Sequence, residues 1–66
     1  MKNRIHELRK ARQISQEELA KLCGVSRQTI NAIENNKYDP SLELVFSLAT
    51  KLGILVDELF IYNKGR

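Results

Sequence analysis

Apolar residues recur at helical spacing along most of the chain, with polar and charged residues between them. Ile5, Leu8 and Ala11 share one face, with Arg4, Glu7 and Lys10 outside it, which predicts a first helix over residues 3–12. Ser15 then opens Ser-Gln-Glu-Glu, a capping box in which the Ser15 hydroxyl accepts the Glu18 N–H and the Glu18 carboxylate reaches back. The second helix is predicted over residues 16–22, with Leu19, Ala20 and Leu22 as its buried stripe. Cys23 and Gly24 end it, Gly24 suiting a left-handed backbone. Ser26 caps a third helix over residues 27–35 after a turn of three or four residues. Val25, just before the cap, Ile30 and Ile33 are its apolar side; Arg27, Gln28, Thr29 and Asn31 lie on other faces.

Asn35, Asn36 and Lys37 break the pattern. Tyr38-Asp39-Pro40 reads as an extended loop, because a proline disfavours helix at the residue before it. Ser41 caps a fourth helix with Leu42, Val45, Leu48, Ala49 and Leu52 inward and Gly53 as its stop. A short fifth helix carries Val56, Leu59 and Phe60, and residues 61–66 read as a strand or a frayed tail. The fold class is therefore all-α, with five helices and at most a short C-terminal strand. No repeat, low-complexity segment or long linker divides the chain, which is expected to be one domain over residues 1–66.

Size narrows the functions. A domain of 66 residues hides only about 60% of the surface its unfolded chain exposes, too little for a deep substrate pocket. One cysteine, Cys23, and one histidine, His6, make neither an internal disulfide nor a zinc site. Cys23 reads as a small buried residue and His6 as a surface residue of the first helix. Glu17 and Glu18 serve the dipole and cap of the second helix; no nucleophile–base pair or phosphate-cradling glycine loop is present, so an enzyme is excluded. No apolar run approaches the roughly 20 residues of a membrane span, and no signal-like segment opens the chain, so the cytoplasm is expected. No cofactor, metal or small-molecule ligand is expected. A net charge of +3 favours an anionic partner only weakly.

The third helix carries the sharper signal. A helix–turn–helix holds its second helix so that it enters the major groove, which is about 12 Å wide and admits one helix. That helix needs hydrogen-bonding residues outward near its N-terminus and apolar residues behind. Arg27, Gln28 and Asn31 meet the first need, Ile30 and Ile33 the second. Arginine pairs with guanine, and glutamine or asparagine with adenine. Ser26 and Thr29 suit phosphate or a base, and Thr29 also offers a methyl to thymine. A solvated polar face is the plainer alternative for these residues. A pure protein binder, however, has no need for Arg27, Gln28 and Asn31 together.

The segment Q-I-S-Q-E-E-L-A-K-L-C-G-V-S-R-Q-T-I-N-A-I-E-N-N-K-Y-D-P-S-L-E-L, from Gln13 to Leu44, resembles the lambda-repressor-like, Cro-type (XRE) helix-turn-helix regulators. The likeness runs on through L-G-I-L-V-D-E-L-F, and among short members it is similar to the cytolysin-operon regulator type. The resemblance implies a repressor that binds double-stranded operator DNA as a homodimer. It implies that Gln16 contacts a phosphate beside the recognition helix and that Arg27, Gln28 and Asn31 reach base edges. It puts Asn36, Lys37 and Tyr38 on the sugar-phosphate backbone, and it implies a partly buried Arg9–Glu34 pair that orients the third helix. The chain departs from the family at Leu55, commonly a small polar cap partnered by Glu58, and at Leu44, often polar. With Leu59, Ile61 and Tyr62 these residues are expected to form the dimer interface. The rival reading is a protein-interaction module, an antitoxin or adaptor, on the same fold.

Overall fold

The computed structural model describes residues 2–61. The described residues begin with a strand, β1 (Lys2–Asn3), and not with helix. It pairs antiparallel with β2 (Phe60–Ile61), Lys2 opposite Ile61 and Asn3 opposite Phe60. This pairing draws Asn3 out of the helix that periodicity had extended over it, and α1 runs Ile5–Ala11. Asn3 still serves the helix from outside, because its Oδ1 accepts the Ile5 N–H at 3.1 Å. Phe60 likewise belongs to the strand and not to the fifth helix.

Four further helices follow: α2 (Gln16–Cys23), α3 (Arg27–Glu34), α4 (Leu42–Leu52) and α5 (Val56–Leu59). The Ser15–Glu18 capping box forms with both bonds at 3.0 Å. Ser26 Oγ accepts the Thr29 N–H at 3.1 Å and Ser41 Oγ the Leu44 N–H at 3.3 Å. At α5 only half the box exists: Glu58 Oε1 accepts the Leu55 N–H at 3.4 Å, and the Leu55 side chain has no acceptor to offer in return.

The first four helices end alike. Gln13, Gly24, Asn36 and Gly53 each take a positive φ, between 57° and 71°. The N–H of the next residue returns to a carbonyl five positions back: Ile14 to Arg9, Val25 to Ala20, Lys37 to Ala32 and Ile54 to Ala49. This closure satisfies helix carbonyls that would otherwise lack donors. At three of the four ends the residue after the reversal is apolar, and Ile14, Val25 and Ile54 pack against the core. The recognition-helix end differs, carrying an exposed Lys37 there.

One core holds the molecule together. Ile5, Leu8, Leu19, Ala20, Ile30, Ile33, Val45, Leu48, Ala49 and Leu52 are buried as their spacing predicts. Three residues placed inward are instead exposed: Ala11, Leu22 at 52% and Leu42 at 70%. On α2 the core takes Cys23, one position further round, in place of Leu22. On α4 apolar residues cover more than one face, and the packed stripe is Leu44–Val45–Leu48–Ala49–Leu52. Leu42 and Phe46, four apart, lie outside it. Two residues assigned to a dimer surface are in the core: Leu59 is fully buried and Leu44 is 9% exposed. Leu59 has no surface left for a partner and Leu44 little. Tyr62 lies outside the described residues.

Candidate nucleic-acid interface

The turn between α2 and α3 is Gly24-Val25-Ser26. Gly24 reverses the chain at φ 71°, Val25 packs on the core and Ser26 starts the next helix. Each residue does one task, and together they present α3 with Ile30 and Ile33 buried. On its opposite side Arg27, Gln28 and Asn31 line one shallow concavity, all three exposed. Among the described residues Arg27 and Gln28 make no side-chain hydrogen bond, so their donors and acceptors are available to an outside ligand. Asn31 is partly engaged: its Oδ1 accepts from Asn35 Nδ2 at 3.2 Å, which leaves its own amide N–H groups free.

The other proposed contact residues do not all join this group. Thr29 lines a separate concavity between the helix turn and α4, together with Tyr38, Ser41 and Ser47. Its hydroxyl lies 3.0 Å from Ser26 Oγ, and both hydroxyls are committed to the start of α3. Asn36 holds the left-handed position at the end of α3, and its Oδ1 accepts from Asn3 Nδ2 at 3.3 Å. The same Asn3 amide donates to the Ile33 carbonyl at 2.8 Å, so β1 closes the C-terminal end of the helix. Lys37 and Tyr38 are exposed.

Behind α3 sits a polar cluster. Arg9 Nε donates to Glu34 Oε2 at 2.8 Å and Nη2 to Glu34 Oε1 at 3.3 Å, with both side chains at most 9% exposed. Arg9 Nη1 also donates to the Ile14 carbonyl at 3.0 Å. The pair is thus present as the resemblance implied, and it ties α1 to the end of α3. Two partners were not foreseen. Gln16 Nε2 donates to Glu34 Oε1 at 3.1 Å, and His6 Nδ1 lies 3.1 Å from Arg9 Nη2 and 3.4 Å from Glu34 Oε1. Burial alone would push the Glu34 carboxyl up, but hydrogen bonds from Arg9 and Gln16 and the arginine charge outweigh it and hold it below the usual range. Burial pushes the Cys23 thiol up, against the opposing charge of Lys51, which makes it less reactive than a free thiol.

At the other end of the molecule, Phe46, Ala49, Thr50, Ile54, Leu55, Val56 and Asp57 line a mostly apolar groove. Phe46 is 54% and Leu55 66% exposed. Sequence reasoning found Leu55 and missed Phe46, although the surplus of apolar residues on α4 was the available signal. Among the described residues no helix is long and apolar enough to cross a membrane, and no cluster of side chains could hold a metal ion.

The helix-turn-helix family matches residues 5–59, from the start of α1 to the end of α5. The chain belongs to the helix-turn-helix transcriptional regulators. It is 52% identical over 63 residues to an uncharacterized HTH-type transcriptional regulator of Methanocaldococcus jannaschii, covering 96% of each chain. It is 38% identical over 56 residues to the immunity repressor protein of Bacillus phage phi105, covering 85% of this chain and 39% of that one. Among solved structures it resembles the restriction-modification controller protein C.AhdI from Aeromonas hydrophila, with a TM-score of 0.80, 42% identity and 86% of each chain covered. The five helices and the short terminal sheet match this lambda-repressor-like fold, a DNA-binding and non-enzymatic class.

Proposed function

We propose that this regulator binds a pseudo-palindromic operator as a homodimer, with α3 of each copy in the major groove, and represses transcription by occupying the site. The observation that carries this reading is the exposed trio Arg27, Gln28 and Asn31 on a helix whose other side, Ile30 and Ile33, is locked into the core. Thr29 assists from beside the trio, through its methyl or through the start of the helix. Gln16, Ser26, Asn36, Lys37 and Tyr38 contact the sugar-phosphate backbone. Steric exclusion of polymerase needs nothing beyond the footprint of one helix-turn-helix domain, and the likeness to a phage immunity repressor supports repression. A regulator of this kind works in the cytoplasm, where bacterial and archaeal DNA lies.

The second copy packs on the apolar groove around Phe46 and Leu55, and Ile61, also exposed, is assigned to the same interface. Two recognition helices then stand about 34 Å apart, which sets half-sites about 10 to 10.5 base pairs apart. A selection from a random duplex pool at about 150 mM salt tests the reading. Recovery of a two-fold motif, lost with Arg27→Ala plus Gln28→Ala, is the expected result; folded protein that enriches nothing defeats it. The exposed groove also favours a second reading, a protein-interaction module such as an antitoxin or adaptor. A stable complex with a different protein, in place of a symmetric dimer in sedimentation at tens of micromolar, would support that alternative.

A further inference from the structure

We propose that Glu34 is a positioning residue for DNA: its carboxylate fixes which atom of the Gln16 amide faces the backbone. This rests on the reading of Gln16 as a phosphate contact. Glu34 is 6% exposed and lies at the C-terminal end of α3, while Gln16 opens α2, so their contact joins the two helices of the DNA-binding unit. An ionised carboxylate has no proton and can only accept. Facing Glu34 Oε1 at 3.1 Å, the Gln16 amide must therefore turn its nitrogen inward and its oxygen away. One N–H of Nε2 goes to Glu34, and the second remains for a phosphate oxygen.

Orientation matters at this position. A glutamine amide turned the other way presents its oxygen, which repels phosphate. Phosphate oxygens accept hydrogen bonds, so the N–H is the attractive group that the Gln16 side chain has to offer there. Arg9 keeps the lock in place. It holds both carboxylate oxygens of Glu34 through two nitrogens, one of them on the oxygen that Gln16 also bonds, and is itself anchored on the Ile14 carbonyl, which restrains the carboxylate beside Gln16. The pair therefore does more than tie α1 to α3. Through one shared oxygen it also sets the donor at the start of α2.

A neutral glutamine at position 34 removes the lock, because it both donates and accepts and lets either orientation of the Gln16 amide form. The test is a double-mutant cycle with Gln16→Ala and Glu34→Gln, measured as binding to a short labelled random-sequence duplex. Each folded fraction is taken from circular dichroism. A backbone contact acts on any sequence, so no operator is needed. Gln16→Ala is expected to weaken binding about tenfold, the loss of one charge-assisted hydrogen bond, and Glu34→Gln about twofold, because only about half of the Gln16 amides then present the donor. Glu34→Gln is expected to add nothing in the Gln16→Ala background. In the free protein, the side-chain amide proton signals of Gln16 should move toward those of an ordinary amide in Glu34→Gln. An equal Glu34→Gln loss with and without the Gln16 side chain, or unshifted amide signals, overturns the proposal. If Glu34→Gln fails to fold, Glu34→Asp keeps the charge beside Arg9 while shortening the carboxylate's reach toward Gln16, and the same cycle applies. Unchanged binding in Gln16→Ala, with loss in Arg27→Ala plus Gln28→Ala, overturns the Gln16 role and leaves the DNA reading intact. Failure of the unaltered protein to bind any duplex overturns the DNA reading itself.

Discussion

The two ends of this molecule are built to different standards. Around α2 and α3 each helix starts on a serine whose hydroxyl bonds the backbone, and the polar side chains behind α3 are paired. Around α5 the cap is a leucine, the box is half made and apolar side chains stand in solvent. The first end gains rigidity from satisfied hydrogen bonds, which a helix needs if its side chains are to meet base edges in register. The second gives up a cap in exchange for apolar surface, a trade that stabilises nothing in a lone protomer. The contrast teaches that the helix-turn-helix end is finished within one chain, while the other end keeps the exposed apolar surface to which the proposed second copy is assigned.

The largest expected effect is at the buried pair. Arg9→Met leaves Glu34 buried without its main partner and should cost about 3–5 kcal/mol in urea unfolding at neutral pH. The same contact sets an acid limit. Because the folded pKa of Glu34 lies below its ordinary value of 4.5, the stabilisation is present above that value and is lost as pH falls through the lowered one. Unfolding followed by circular dichroism should show a midpoint that drops below about pH 4.5 in the unaltered protein, and drops less in Arg9→Met.

Next in size are the recognition residues. Arg27→Ala or Gln28→Ala should each cost about 1–3 kcal/mol on the selected operator and relax the preference at one base position. Unaltered discrimination at every position would remove them from base reading.

The caps separate the two ends directly. Ser26→Ala should destabilise the protein by about 1 kcal/mol. Leu55→Ser completes the box with Glu58 and should stabilise the protomer by up to about 1 kcal/mol while shifting sedimentation toward the monomer. A stabilised variant that associates as before would separate the missing cap from the partner surface.

The smallest effect belongs to Lys37, where three other helix ends carry an apolar residue. Lys37→Ala should weaken all duplexes about equally and reduce the salt slope by about 1, with stability unchanged.

Much of this architecture was legible along the chain. Ser15, Ser26 and Ser41 marked helix starts, and Gly24 and Gly53 marked helix ends, because capping depends on residues within one turn of each other. The trio Arg27, Gln28 and Asn31 was legible for the same reason: one helix of known phase places all three. The pattern failed where it offered two faces. Leu42 and Phe46 on α4, and Leu22 on α2, are as apolar as the residues that were buried in their place. It failed again at Leu44, whose departure from a family habit looked like spare surface, and at Leu59, assigned to the same surface; both are core.

What the sequence determined by itself was therefore local: five helices, their caps, the turn that makes the DNA-binding unit and the polar side of α3. Each depends on groups a few residues apart, so its signal is written within a turn or two of the chain, although packing is what holds helices this short. The tertiary structure decided the rest. It paired Lys2 with Ile61 and so shortened α1, it chose which apolar face of α4 to bury, and it brought Gln16 and His6 to the Arg9–Glu34 pair. These are contacts between segments distant in sequence, and burial is non-directional. Apolar spacing says that a face will be covered, while only the packed chain fixes which face and by what.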